Sequence, residues 1–161
     1  MIVSHRHKFI YVRTRKTAST SLEIALSRIC GDSDIITPVG TRDEQLRAQL
    51  GGRLPQHWQN ADGTSRFWNH MPAAEIRLLV GHRIWCDYFV WTVERDPWSK
   101  TTAYYFHRHR WPERRPKFST FVESGAPRQV VNYPLYTIWR AVGGRSNFSL
   151  PRLGDSLERI D

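Results

Sequence analysis

The first apolar run of the chain, Phe9-Ile10-Tyr11-Val12, is continuous rather than alternating, as in a strand covered on both faces. A change of period follows it. Leu22, Ala25, Leu26 and Ile29 stand at i, i+3, i+4 and i+7, which predicts an amphipathic helix from Ser19 with those residues inward and Gly31 as its stop. Residues 32–40 read as loop. Thr41 to Leu50 predicts a second, mostly polar helix, with Thr41 as N-cap and Glu44 in the capping-box position. Residues 51–70, GGRLPQHWQNADGTSRFWNH, are dense in turn formers and read as a long loop carrying aromatics. Pro72 opens a helix through Val80 with Ile76, Leu79 and Val80 on its inner side. The second continuous apolar run, YFVWTV at 88–93, predicts a strand, and Asp96-Pro97 after it is a strong helix start. That helix is expected to reach about His109, with shorter ones at Phe118 to Glu123 and Tyr136 to Val142. Strands followed by helices predict an α/β fold with parallel strands, in a single domain over 1–161.

Composition narrows this picture. At 40% hydrophobic and 12% aromatic residues the chain is globular rather than disordered. No apolar run approaches the ~20 residues that cross a bilayer, and MIVSHRHK is too short and too polar for a signal peptide. Cys30 and Cys86 are too few for a disulfide framework and lack metal-ligand spacing, so buried free thiols in a reducing cytoplasm are expected. The net charge of +9 and a pI near 10.1 point to a polyanionic partner: nucleic acid, acidic glycan, anionic lipid or a multiply phosphorylated cofactor. Charge alone does not choose among these, and a surface solvated by arginines has the same composition.

The segment RTRKTASTS, Arg13 to Ser21, joins the first strand to the first helix. Amides at a helix N-terminus lack partners and sit at the positive end of the dipole, so they attract anions. Thr17, Ser19, Thr20 and Ser21 add hydroxyls, and Lys16 adds a mobile charge. No glycine lies between Met1 and Cys30, so the Walker pattern and the dinucleotide fingerprint are both absent. Nor is there a clear acidic strand end to hold magnesium. An anion loop without a metal site argues against an ordinary nucleoside triphosphatase. A Ser/Thr-rich start that merely caps its own helix is the simpler alternative. At the second junction, Arg95 stands just before a helix N-terminus, where a guanidinium can grip a phosphate bidentately. Its simpler alternative is an ion pair with Glu94 or Asp96.

Arg15-Lys16-Thr17-Ala18-Ser19-Thr20-Ser21 resembles the 5′-phosphosulfate loop of the sulfotransferases that use 3′-phosphoadenosine 5′-phosphosulfate, most closely the PKTGSTS-like loop of the carbohydrate enzymes, including the heparan and chondroitin 2-O-sulfotransferases. The stretch from Phe89 through Arg95-Asp96-Pro97-Trp98 to Lys100, Tyr104 and Tyr105 resembles that family's 3′-phosphate motif. Together the motifs cover about a seventh of the chain, in the family's order. The resemblance implies a P-loop-related sulfotransferase fold with a central parallel sheet flanked by helices. It also implies 3′-phosphoadenosine 5′-phosphosulfate as donor without a metal, and a hydroxyl acceptor, most simply a carbohydrate. Residues 15 to 21 would hold the 5′-phosphosulfate, with Lys16 neutralising charge on the leaving oxygen. Arg95, with Ser99 or Thr102, would hold the 3′-phosphate. Two positions depart from the pattern: the family's serine falls on Ala103 and its second basic residue is Lys100. The family also continues into a C-terminal loop over the adenine. The sequence stops at Asp161, soon after Arg145 and Arg152, which suits either a compact form of the family or one lacking part of that region.

Sulfuryl transfer to a hydroxyl needs a general base, worth ~10²- to 10⁴-fold in rate. Of seven histidines, His70 precedes the Pro72 helix and the second strand, and His70-Met71-Pro72-Ala73-Ala74-Glu75-Ile76-Arg77 resembles the HxTAxEIR stretch that carries the base in related bacterial enzymes. A histidine packing the helix start is the alternative, and Glu94 is a second candidate base or an orienter of neighbouring cations. The pairs His5/His7 and His107/His109 lack an obvious third metal ligand. HRHRWPERRPK, 107–117, suits a solvated helix end, a rim for an acidic glycan or, least of all, a nucleic-acid patch. The rival to an enzyme is a basic polyanion- or nucleic-acid-binding module that keeps the fold without catalysis.

Overall fold

A computed structural model describes residues 1–137. The elements run β1 (Ile2–Ser4), β2 (Phe9–Tyr11), α1 (Ser19–Ser27), β3 (Ile35–Ile36), α2 (Thr41–Gln49), α3 (Ala73–Asp87), β4 (Phe89–Trp91), α4 (Pro97–Arg108), α5 (Phe118–Glu123) and α6 (Tyr133–Tyr136). Single 3-10 turns span Pro112–Arg114 and Ala126–Val130. The helix expected at Tyr136 to Val142 lies almost wholly outside the described residues.

One four-stranded sheet, ordered β3-β1-β2-β4, holds these elements together. It is mixed rather than parallel. β1 pairs antiparallel with both β2 and β3, and only β2 and β4 run parallel, in register Phe9↔Phe89, Ile10↔Val90 and Tyr11↔Trp91. The sequence conceals the two antiparallel strands because each spans only two or three residues, too few to display a period. The turn from β1 to β2 takes Lys8 through a left-handed φ of 51° and is pinned by Asp34, whose carboxylate accepts from Ser4 Oγ and the His5 and Arg6 amides.

Both faces of the sheet are covered, which is why Phe9 to Val12 is continuously apolar. Val3, Ile10, Val12 and Ile35 pack on one side with Phe67, Met71, Ala73 and Ile76 from the long loop and α3. Ile2, Phe9, Tyr11 and Ile36 pack on the other with Cys30, Leu22 and Leu26. Ile10 and Tyr11 have no exposed surface, and a side chain such as Ile10 contributes roughly 1.5–3 kcal/mol by leaving water. β4 is one of the two edge strands, and its Phe89 remains 72% exposed.

Two helices present faces that the periodicity does not predict. In α1 the buried residues are Ser19, Glu23, Ile24 and Ser27, whereas Leu22 and Leu26 are half-buried and Ala25 is exposed, as is Ile29 just beyond the helix end. The inward stripe is turned because Glu23 is drawn inside by Arg13 and by the Met1 amino group. The helix expected to end at Val80 does so at a kink, where Gly81 takes a non-helical φ of 83°; a second helical segment of α3 then runs to Asp87, and Leu79 lies on the exposed side. α2 starts with Gly40 as N-cap rather than Thr41, and Glu44 reaches back to accept from the Val39 amide at 2.7 Å. Of the two free thiols, Cys30 is buried and Cys86 exposed. Among the described residues no helix is long and apolar enough to cross a membrane.

Candidate functional site

Because β2 and β4 are parallel neighbours, the loops that follow them leave the same end of the sheet side by side. Hydrogen bonds carry this pairing past the strands. Val12 N donates to Trp91 O at 2.9 Å, Thr92 Oγ1 to Val12 O at 2.7 Å, and Thr14 Oγ1 to Val93 O at 2.5 Å. The first loop therefore starts from a fixed base.

Within it, Lys16 (φ 59°) and Ala18 (φ 58°) both take left-handed backbone, separated by Thr17, which does not. Residues with a Cβ pay for that conformation, of order 1–3 kcal/mol each. Left-handed residues in alternation are a feature of anion-binding nests, where successive amides share one concave side. Ala18 is the N-cap of α1 and supplies no side-chain cap, so the first-turn amides are left for another acceptor. Asn132 fastens the loop from outside: the Arg15 amide donates to Asn132 Oδ1 at 2.7 Å, and Asn132 Nδ2 returns to Arg15 O at 3.0 Å.

The loop's side chains divide. Thr17 is buried with its hydroxyl on Thr14, and the Thr20 hydroxyl accepts from Arg13 Nη2 at 2.7 Å. Arg15 donates through Nη1 to Gln129 O at 3.2 Å. Ser19 is buried and Ser21 exposed, and neither hydroxyl has a partner among the described residues. Lys16 is half-buried, and among the described residues no carboxylate pairs with it. Burial first, then the charges of Arg110 and Arg95, hold its ammonium below the usual lysine value. The same field, after burial, lowers His107 through Lys16 and Arg110. A lysine, two arginines and a histidine thus converge beside uncapped helix amides with no anion supplied by the described chain.

The second junction is more self-contained. Asp96 caps α4 by accepting from Ser99 N at 2.9 Å, and hydrogen bonding from the Ser99 side chain is the largest cause holding its carboxyl low. The Thr102 hydroxyl donates to Trp98 O at 3.0 Å. Both hydroxyls are therefore engaged within α4. Lys100 donates to Glu94 at 2.8 Å, and Glu94 also accepts from the Arg95 amide and from Asn132 Nδ2. Burial alone would raise the Glu94 carboxyl, but these donors hold it below its ordinary value. The Arg95 guanidinium is exposed and has no ion pair among the described residues.

His70 sits in the turn before α3, at a left-handed φ of 57°, with Nδ1 3.3 Å from Arg13 O. A carbonyl only accepts, so Nδ1 carries the proton and Nε2 presents a lone pair. Burial, then the Arg13 charge, lowers the ring to about 4. Its neutral form is thus the folded preference. The stability this gives is fully present above about pH 6.5 and is withdrawn as pH falls from 6.5 toward 4. In His70→Gln the melting temperature is expected to fall less steeply across that window than in the wild type. Parallel curves would show that His70 does not titrate there.

Of the histidine pairs, His5 Nδ1 bonds Tyr88 Oη at 2.7 Å and His7 Nε2 bonds Ile29 O at 3.0 Å, both from the β1–β2 turn. Among the described residues no three His, Cys, Asp or Glu side chains gather as a metal site. Sequence spacing does not reveal Asn132, 117 residues from Arg15, or the closeness of Arg110 and His107 to Lys16. The one signal for the latter is the basic run at 107–117.

No family model and no solved structure matches the chain. An uncharacterized protein of Archaeoglobus fulgidus is 35% identical over 68 residues, a stretch covering 42% of this chain and 57% of that protein, so the likeness spans just over half of the relative's length.

Proposed function

We propose that the chain is a sulfotransferase, with a P-loop-related sulfotransferase fold, that moves a sulfuryl group from 3′-phosphoadenosine 5′-phosphosulfate to a hydroxyl, most simply on a carbohydrate. The observation that carries this reading is Lys16. It is a half-buried ammonium without a carboxylate partner among the described residues, in a left-handed loop at an uncapped helix start, facing Arg95 and Arg110. Lys16, Arg110 and the first amides of α1 fit the donor's 5′ end. At the 3′ end the fit rests on Arg95, because Ser99, Thr102 and Lys100 are engaged elsewhere.

When bound, the donor supplies a sulfuryl group already activated by a phosphate leaving group. Lys16 and the first amides of α1 would neutralise the charge that grows on the bridging oxygen, which lowers the barrier more than it tightens ground-state binding. His70 Nε2 would take the acceptor hydroxyl's proton while Nδ1–H stays on Arg13 O.

The test is sulfate transfer from labelled donor to a panel of sugars. His70→Ala is expected to lose ~10²- to 10⁴-fold in rate while retaining nucleotide binding. Unaltered turnover would remove His70 from the role. The engaged side chains of the 3′ half favour a second reading, a polyanion-binding module without catalysis. Its mark would be steeply salt-dependent binding with no preference for a 3′-phosphate.

A further inference from the structure

A cleft of about 360 Å³ lies between the long loop and α3, within the size range of small-ligand sites. Trp68, Met71 and Leu78 give it apolar walls, and Asn60, Arg66 and Glu75 give it polar ones. Trp68 is 40% exposed and Leu78 81%, although buried Phe67 and Met71 beside Trp68 are core residues. The loop that presents Trp68 is ordered by its own bonds. Arg66 N and Phe67 N both donate to Trp58 O at 2.9 Å, and Asn60 N donates to Thr64 O at 2.9 Å. Arg66 ties this loop to α3, donating to Leu79 O at 3.3 Å with its guanidinium 5.3 Å from the Phe67 ring centre. The Glu75 carboxylate has no partner among the described residues.

A flat indole, an amide and an unpaired carboxylate in one open cleft ask for a ligand with an apolar face and hydroxyls at its edge. A pyranose ring has that form. An anionic group would meet Glu75 unfavourably, while the Arg66 guanidinium is turned to Leu79 O and the Phe67 ring; a wholly apolar ligand would desolvate polar walls without compensation. The place also matters. Met71 N donates to Trp68 O at 3.3 Å, so Trp68 and His70 share a single turn, their Cα atoms within roughly 7 Å.

We propose that this cleft holds an uncharged sugar ring of the acceptor, its apolar face on Trp68 and its hydroxyls toward Asn60 and Glu75, adjoining the hydroxyl presented to His70. The assignment rests on the transferase reading above and names a part of the acceptor that reading leaves open.

The test is saturation-transfer NMR on the full chain, with cellobiose and chitobiose as neutral probes and glucose 6-sulfate as the charged one, alongside nucleotide titration. Saturation of ring C–H protons is expected for the neutral probes and not for the sulfated one. Trp68→Ala should weaken binding about tenfold and Trp68→Tyr restore most of it. The melting temperature reports that both variants are folded. Nucleotide binding without any saturation would overturn the cleft and leave the transferase reading. Saturation that Trp68→Ala does not change would also overturn it. Saturation without nucleotide binding would leave a sugar site in place and remove the transferase reading.

Discussion

Glu23→Ala is expected to lose about 3–5 kcal/mol of unfolding free energy, a large part of the 5–15 kcal/mol typical of a domain. Glu23 has no exposed surface, and it is the carboxylate for Arg13, 7% exposed, and for the Met1 amino group. Removing it leaves buried positive charge uncompensated. Arg47 is also fully buried, but its carboxylate is Glu44 at 3.1 Å, so that pair stays in place in the variant. The contrast is the Lys8–Asp87 pair at 2.9 Å, whose side chains are 63% and 55% exposed. Asp87→Ala should change stability by no more than about 1 kcal/mol, since water and salt screen such a pair. Urea denaturation of both variants checks the ranking, and equal losses would contradict it. The same variant reaches the site, because Arg13 also holds Thr20 and offers its carbonyl to His70.

Lys16→Ala is expected to lower the transfer rate by ~10²- to 10³-fold, the cost of removing one donor aimed at developing charge. Donor affinity should fall much less, since Arg95, Arg110 and the α1 amides remain. That split between rate and affinity separates a group acting on the leaving oxygen from a generally attractive charge. Alanine keeps a Cβ at φ 59°, so the backbone strain is unchanged and the comparison isolates the ammonium. A loss of donor affinity with the saturated transfer rate unchanged would place Lys16 in uniform binding instead.

The parts of the fold visible in the sequence are those with local signals. Asp96-Pro97 opens α4 as expected, and α5 spans Phe118 to Glu123 as expected. β2 and β4 fall on the two continuous apolar runs. What escaped depends on distant partners. β1 and β3 exist because Ile2 and Val3 pair with Ile36 and Ile35 across more than thirty residues. Glu23 looks like a solvent-facing helix residue until Arg13 draws it inside. Cys86, expected to be buried, falls on the exposed side of α3 beyond Gly81, in a stretch the periodicity assigned to no helix. For the site, the loop's position after a strand and before a helix was legible. That Thr17 turns inward, that Ser99 serves Asp96 and that Arg110 joins Lys16 was not, because side-chain direction and loop return have no sequence period.

The central claim is that the glycine-free loop and Arg95 together hold one nucleotide bearing phosphate at both its 5′ and 3′ positions. Isothermal titration with 3′-phosphoadenosine 5′-phosphate, with ATP as control, tests it most directly. The account predicts saturable binding of the bisphosphate at least tenfold tighter than ATP, a difference of about 1.4 kcal/mol, with that preference lost in Arg95→Ala. Equal binding of the two nucleotides, or no binding of either, would contradict it.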